Sequence, residues 1–392
     1  MTETPAATAA KIESNQTHPM PTLSTTVNGL KLQNPFVIGS GPPGTNLSVI
    51  NRAFAEGWGA VIAKTISLDA SKVVNVTPRY AKLHAENGEV IGWENIELIS
   101  DRPFGIWLDE FKKCKETNPS GILIASVMEE YRKDGWIEII ERCQDAGVDA
   151  FELNFSCPHG LPERKMGAAM GQDPAILEEV CGWVASAAKK PFWAKMTPNI
   201  THIEEPGRAA LRGGASGLSA INTIRSVMGV NLDTLRPEPT VEGYTTPGGY
   251  SSKAVKPIAL RMVMELAAMI RAEFPAGRSL SGLGGVESGN DAAQFILLGA
   301  DTVQVCTGVM KFGYGCVKPM CEELLAFMAK HKFETLDDFK GKSLAYFTTH
   351  ADLVHRQAGR KAARQAIAKV VKSDGEWSGD EFVKQSDALS KG

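Results

Sequence analysis

No two of the seven cysteines in this chain of 392 residues stand in a CxxC spacing; they are Cys114, Cys143, Cys157, Cys181, Cys306, Cys316 and Cys321. A local knuckle for zinc or an iron–sulfur cluster is thereby excluded, and no metal is expected. An odd, scattered set also suits a reducing compartment, cytoplasmic or, for a plant or alga, plastid. No apolar run reaches the roughly 18 uncharged residues that a membrane span requires. Positive charge is not in excess: 42 Lys and Arg against 45 Asp and Glu leave a net charge of −3. That balance argues against a nucleic-acid partner and for small-molecule chemistry in a soluble protein. The first twenty residues lack both an apolar core and arginine, so 1–22 reads as a flexible arm rather than a secretory signal or transit peptide.

What the chain does have is alternation. A short pattern over 23–32 with Asn28-Gly29 at its centre predicts a small hairpin. From Asn34 onwards, apolar strand-like runs predict strands at 35–40, 60–65, 121–127, 150–155, 191–196, 217–222, 279–283 and 302–306. Amphipathic helices are predicted between most of them, at 49–57, 135–146, 174–187, 203–212, 258–274, 291–298 and 317–330. Eight such units are the count of a (β/α)8 TIM barrel over 23–332, with an N-terminal hairpin and a C-terminal helical extension over 333–392. Near-continuous apolar strands also suit a covered parallel sheet. The competing fold is a Rossmann domain, because Gly39-Ser40-Gly41-Pro42-Pro43-Gly44 matches GxGxxG after a strand. Two prolines sit where amides would face a pyrophosphate, which counts against it. Two connections, 67–99 and 225–256, are long enough to cover a ligand at the mouth of a barrel.

The chain is organised around 149–160, where a buried strand runs into Asn154, Ser156 and Cys157 and is broken by Pro158 and Gly160. Cys157 is read as a proton donor at the start of a mobile loop, against the alternative of one more packed cysteine. The other strand ends bring Ser40, Lys64-Thr65, Lys195, Asn222-Thr223, Gly284-Gly285 and Cys306-Thr307 to the same mouth. Glycine-bearing ends at the seventh and eighth strands suit a phosphate. Lys64 and Lys195 end apolar strands, where a cation is costly unless it meets negative charge; a reduced flavin supplies it at its N1–C2=O edge. Asn95, Asn154 and Asn222 offer donors and acceptors without charge, which suits a neutral cyclic imide, whereas an anionic substrate calls for arginine.

Over 154–167, Asn-Phe-Ser-Cys-Pro-His-Gly-Leu-Pro-Glu-Arg-Lys-Met-Gly, the chain resembles the dihydropyrimidine dehydrogenases. Further matches are Lys64-Thr65-Ile66-Ser67-Leu68-Asp69, Asn95-Ile96-Glu97-Leu98-Ile99-Ser100, Ala194-Lys195-Met196-Thr197-Pro198-Asn199 and Gln304-Val305-Cys306, and the likeness spans about 34–328. The related dihydroorotate dehydrogenases share Asn-x-Ser-Cys-Pro, but cysteine-type members usually continue with asparagine where this chain has His159. Ser252 departs from the glycine that many members carry there.

The resemblance implies an FMN-bearing barrel that reduces the C5=C6 bond of uracil and thymine, with hydride delivered to C6 and Cys157 protonating C5. It implies that Asn95, Asn154, Ser156, Asn222 and Thr223 hold the pyrimidine. Ser40, Lys64, Thr65, Lys195, Gly284, Gly285, Cys306 and Thr307 would hold FMN, with Ser252 near it. With no cysteine beyond Cys321, the chain is similar to the short, cluster-free form found in plants and some bacteria. NADPH is the expected donor, directly or through a flavoprotein or iron–sulfur partner, and the chain is expected to form a homo-oligomer, a dimer. The rivals are a dihydroorotate dehydrogenase or another ene-type FMN oxidoreductase, and a non-catalytic or pyrimidine-reducing subunit of a larger complex.

Overall fold

The computed structural model describes residues 21–156, 166–275 and 277–366. It opens on a hairpin, β1 (Thr25–Val27) and β2 (Leu30–Leu32), turned at Asn28 and Gly29, both with positive φ (50° and 82°). That pair of left-handed residues is what a two-residue turn between right-twisted strands needs. Strand β3 (Phe36–Ile38) leads to α1 (Leu47–Glu56), which Asn46 caps by accepting from the Val49 N–H and which stops at Gly57. After β4 (Ala60–Ile62) come β5 (Tyr80–His84) and β6 (Val90–Asn95), then α2 (Phe104–Thr117), β7 (Ile122–Val127), α3 (Lys133–Asp145) and β8 (Ala150–Asn154). Next are α4 (Ala168–Gly171), α5 (Pro174–Ala187), β9 (Phe192–Lys195), α6 (Glu204–Arg212) and β10 (Gly217–Ala220). The second long connection holds β11 (Ile224–Ser226), β12 (Gly229–Asn231), β13 (Arg236–Glu238) and β14 (Gly248–Ser251). The unit ends with α7 (Lys256–Glu273), β15 (Ser279–Leu283), α8 (Gly289–Leu297), β16 (Thr302–Val305), α9 (Thr307–Phe312) and α10 (Val317–His331).

Eight strands close a parallel barrel in the order β3-β4-β7-β8-β9-β10-β15-β16, the expected (β/α)8 architecture. The strands read as unbroken apolar text because both of their faces are covered. One face meets helices that bury large side chains, among them Trp107, Phe111 and Trp136. At the N-terminal end of the barrel, Val27, Leu30 and Leu32 of the hairpin pack on Val37, Ile62, Ile124 and Trp193 and plug it. The glycines of 39–44 serve close packing: a Cβ on Gly41 would lie 2.6 Å from Cys306 Sγ, and one on Gly44 2.7 Å from the Ile62 carbonyl. A closed barrel and a short 3-10 turn at Pro42–Gly44 replace the open sheet and long helix that a dinucleotide-binding reading requires.

The two long connections do not lie over the mouth as loops. They pair into one antiparallel sheet, β11-β14-β6-β5, in which Asn95 stands opposite Gly249 and Trp93 opposite Ser251. The barrel unit also extends past the expected boundary at 332. It reaches Ala345, because Leu336 and Phe339 are buried in the main core and Phe339 stacks on Phe333. A second unit begins at Tyr346 and contains α11 (His350–Ala366), where Asp352 and Arg356 pair one turn apart. No described helix is long and apolar enough to cross a membrane.

Candidate active site

The C-terminal ends of the strands and the four-stranded sheet line a cavity that opens to solvent. Ser40, Lys64, Thr65, Asn95, Asn154, Lys195, Asn222, Thr223, Ser252, Gly284, Gly285, Cys306 and Thr307 all line it. The predicted set therefore converges on one space, with two exceptions. Cys157 lies outside the described residues. Ser156 is fully buried and does not line the cavity. Its hydroxyl lies behind Asn222, accepting from Asn222 Nδ2 at 2.5 Å, so it orients a lining amide rather than lining the cavity itself.

The floor of the cavity is a polar cluster inside an apolar barrel. Lys195 is 2% exposed, and its Nζ donates to Glu152 Oε1 (3.1 Å), Ser40 Oγ (3.2 Å) and Gln304 Oε1 (3.4 Å). Three acceptors satisfy the three hydrogens of an ammonium. Next to it, Asn154 Nδ2 donates to Thr65 Oγ1 (3.0 Å), and Asn154 Oδ1 accepts from the backbone and hydroxyl of Ser156 (both 3.1 Å). Asn222 Oδ1 accepts from the Thr223 N–H at 2.7 Å. These bonds fix which end of each amide faces which neighbour, so the floor presents a set pattern of donors and acceptors.

The roof carries the second lysine's partner. Lys64 Nζ lies 2.9 Å from Glu97 Oε2, which also accepts from the Tyr80 hydroxyl at 2.8 Å. Burial, and then the adjacent Glu97 carboxylate, push the Tyr80 phenol well above its ordinary range, so it stays protonated. Asn95 Nδ2 donates to the Gly249 carbonyl at 3.1 Å, tying β6 to β14 beside Thr223. At the far side, Gly284 and Gly285 take positive φ (133° and 73°), and a Cβ on Gly285 would lie 2.8 Å from the Ser252 carbonyl. Ser252 itself has φ 80°, and Ser251 and Thr307 share a hydroxyl hydrogen bond of 3.0 Å. Desolvation raises the Cys306 thiol to about 11, so it is uncharged at neutral pH.

Four residues of this site were not expected from the sequence. Glu152, Glu97, Trp93 and Gln304 line or support the cavity, and Trp93 Nε1 is buried with no hydrogen-bond partner among the described residues. A carboxylate inside the apolar strand Ala150–Asn154 is the sequence signal for Glu152, by the same cost of burying a charge that singles out the lysines, and the sequence reading above does not use it.

Residues 22–328 match the family model described as dihydroorotate dehydrogenase. The chain is 63% identical over 374 residues to the chloroplastic dihydropyrimidine dehydrogenase (NADP(+)) of Arabidopsis thaliana, covering 94% of this chain and 88% of that one. It is 40% identical over 320 residues to the NAD-dependent dihydropyrimidine dehydrogenase subunit PreA of Escherichia coli K12, covering 81% of this chain and 76% of that one. In structure it is similar to the dihydroorotate dehydrogenase of Eimeria tenella crystallised with ferulenol, with a TM-score of 0.68 over 83% of this chain and 90% of that one. At 19% identity this last likeness speaks for the barrel alone. With the family model matched across the whole barrel and a relative at 63% identity over nearly the full length, the chain belongs to the dihydroorotate dehydrogenase family, on its dihydropyrimidine dehydrogenase side.

Proposed function

We propose that this protein is an FMN-dependent oxidoreductase that reduces the C5=C6 bond of uracil and thymine to the 5,6-dihydropyrimidine. The observation that carries this reading is the composition of the cavity. Among the described residues three asparagines and three threonines line it, its two lysines each already face a protein carboxylate, and no arginine lines it. A neutral imide suits that set, and a carboxylate-bearing ring such as dihydroorotate meets no unpaired cation among the described residues of the lining.

FMN fits the remainder of the cavity. The indole N–H of Trp93 is an orphaned buried donor, and the positive-φ turn at Gly284-Gly285 with Ser252 and Thr307 makes a cradle of the kind that takes a phosphate. When bound, FMN would supply the hydride for the ring, and the residues named here would hold it. Lys195 holds a cation against the negative charge that reduction brings to the site. Asn95, Asn154, Asn222 and Thr223 hold and orient the pyrimidine, and Ser156 fixes Asn222. Cys157 delivers the proton to C5; a thiol with an ordinary pKa of about 8.5 carries that proton at pH 7. The electrons come from NADPH, directly or through a partner protein. The Escherichia coli relative is a subunit, which supports the second route.

The test is an anaerobic spectrum of the purified chain during addition of NADPH and then uracil. Bleaching by NADPH and recovery with uracil means a self-sufficient enzyme. Recovery with uracil only after chemical reduction means that a partner brings the electrons. Recovery with orotate but not uracil overturns the substrate assignment. Cys157→Ala is expected to retain flavin and to slow reoxidation by uracil about 10²- to 10⁴-fold, the usual contribution of a positioned acid.

A further inference from the structure

Glu152 is a buried carboxylate of the floor, and the chemistry proposed for the site gives it no task. It is 1% exposed, on β8, and four neighbours from four different strands or strand ends donate to it. Oε1 accepts from Lys195 Nζ (3.1 Å, β9) and from Ser40 Oγ (3.2 Å, beyond β3). Oε2 accepts from Ser219 Oγ (2.8 Å, β10) and Gln304 Nε2 (2.8 Å, β16). Gln304 is itself locked: its Nε2 also donates to Ser281 Oγ at 3.2 Å, which leaves its carbonyl oxygen to face Lys195. The cluster is thus fully satisfied and admits one arrangement of donors.

Stability alone does not account for it. A buried ion pair seldom stabilises a protein more than apolar residues of the same volume, since desolvating both charges offsets their attraction. A barrel interior filled otherwise by Val, Ile and Leu has that apolar alternative at hand. What the pair does have is a location, because Lys195 and Gln304 both line the cavity.

We propose that Glu152 is a positioning residue for Lys195: it fixes the ammonium at the cavity floor and offsets its charge, so that it sets how strongly the lysine favours electrons on the cofactor. This rests on the reading of Lys195 as the charge partner of the flavin. Without the carboxylate, the lysine's charge acts on the flavin undiminished, and the bound flavin becomes easier to reduce.

The experiment is equilibration of the flavin-loaded full chain with a reference dye, for the parent and three variants. Glu152→Gln is expected to raise the ratio of reduced to oxidised flavin at a fixed poise by about tenfold or more, the size of a unit charge a few ångströms away at an effective dielectric of about 20. The exchange pair Glu152→Gln with Gln304→Glu returns one carboxylate to the cluster within reach of Lys195 and is expected to restore the parental ratio. A purely structural Glu152 predicts lower thermal stability with an unchanged ratio, and that result overturns the proposal, as does failure of the exchange pair to restore the ratio. If Glu152→Gln alone does not fold, the exchange pair decides: parental ratio supports the proposal, and loss of folded, flavin-bound protein overturns it. Lys195→Met separates this inference from the one beneath it. That variant must lower the ratio; if it does not, the flavin role of Lys195 is wrong, whereas a lowered ratio with Glu152→Gln inert removes only the role of Glu152.

Discussion

The floor and the roof of the cavity both bury a lysine beside a carboxylate, and they do so in opposite ways. On the floor, Lys195 and Glu152 come from adjacent parallel strands, with side chains 3% and 1% exposed, and every hydrogen-bonding group in the cluster is used. In the roof, Lys64 stands at the end of a barrel strand and Glu97 just beyond a strand of the inserted sheet, with side chains 10% and 9% exposed. The floor pair lies within the rigid barrel, whereas the roof pair links the barrel to an added element. A charge fixed in the barrel suits electrostatic work, which needs donors that do not reorganise as charge develops. A charge that joins two elements suits closing or ordering the element that covers the ligand.

Breaking the two pairs separately tests this contrast. Lys195→Met carries the largest expected effect. Turnover should fall at least about 10²-fold, the usual cost of removing one preorganised stabiliser of developing charge. Glu152 is then left buried without its cation, so thermal stability should fall as well, by about 3–5 kcal/mol. Lys64→Met should act mainly on KM, through a looser roof, with the melting temperature near that of the parent. Equal losses of kcat in the two variants would show that floor and roof do the same work. A second cut goes through the roof alone. A Cβ at Gly249 would lie 2.1 Å from Thr223 Oγ1 and 3.3 Å from Asn95 Nδ2. Gly249→Val should therefore displace β14 from β6 and raise KM for uracil about tenfold, equivalent to ~1.4 kcal/mol. The barrel should melt as before; a lowered melting temperature with unchanged KM would mean that the sheet braces the barrel and does not shape the site.

The same division explains what the sequence made legible. All eight barrel strands are readable because parallel strands covered on both faces are unbroken apolar text, and most of them run into a polar residue at the mouth. The strand-end rule then placed Lys195, Asn154 and Asn222 in one cavity without any knowledge of contacts. The roof sheet was not readable. Its strands are three to six residues long, contain Gly92, Gly248 and Gly249, and β6 finds its partner β14 about 150 residues away, so no local alternation marks the pairing. Helix α2 has no capping side chain to mark its start, because Pro103 at its cap offers no side-chain hydrogen bond. Glu152 is legible on a different ground: a buried anion two strand positions before Asn154 costs as much as the buried cation of Lys195 and calls for a partner in the same way. The motif implies Ser156 as a substrate contact, whereas its hydrogen bond from Asn222 Nδ2 is visible only in the fold.

The smallest expected effect concerns the joint within the roof. Glu94 on β6 is 1% exposed, and its Oε2 accepts from Ser226 Oγ of β11 at 2.6 Å. Burial holds its carboxyl above the ordinary carboxylate range, while the hydrogen bonds from Ser226 and the Gly248 N–H pull it back. In the unfolded chain the carboxyl returns to its ordinary value near 4.5. The folded roof therefore binds this proton more tightly than the unfolded one. Its contribution is present at low pH and is lost as pH rises through the raised folded-state value. Glu94→Gln keeps an acceptor for Ser226 and cannot ionise. Relative to the parent, the variant's roof should grow more resistant as pH rises from about 4 to 8, by on the order of 1 kcal/mol or less given the compensating hydrogen bonds. Limited proteolysis within 227–246, read as the ratio of parent to variant cleavage rates at each pH, isolates the effect from the protease's own pH dependence. A ratio that stays constant across that range would mean that the β6–β11 joint tolerates the charge, and that the roof, like the floor, is built to hold an ionised carboxylate.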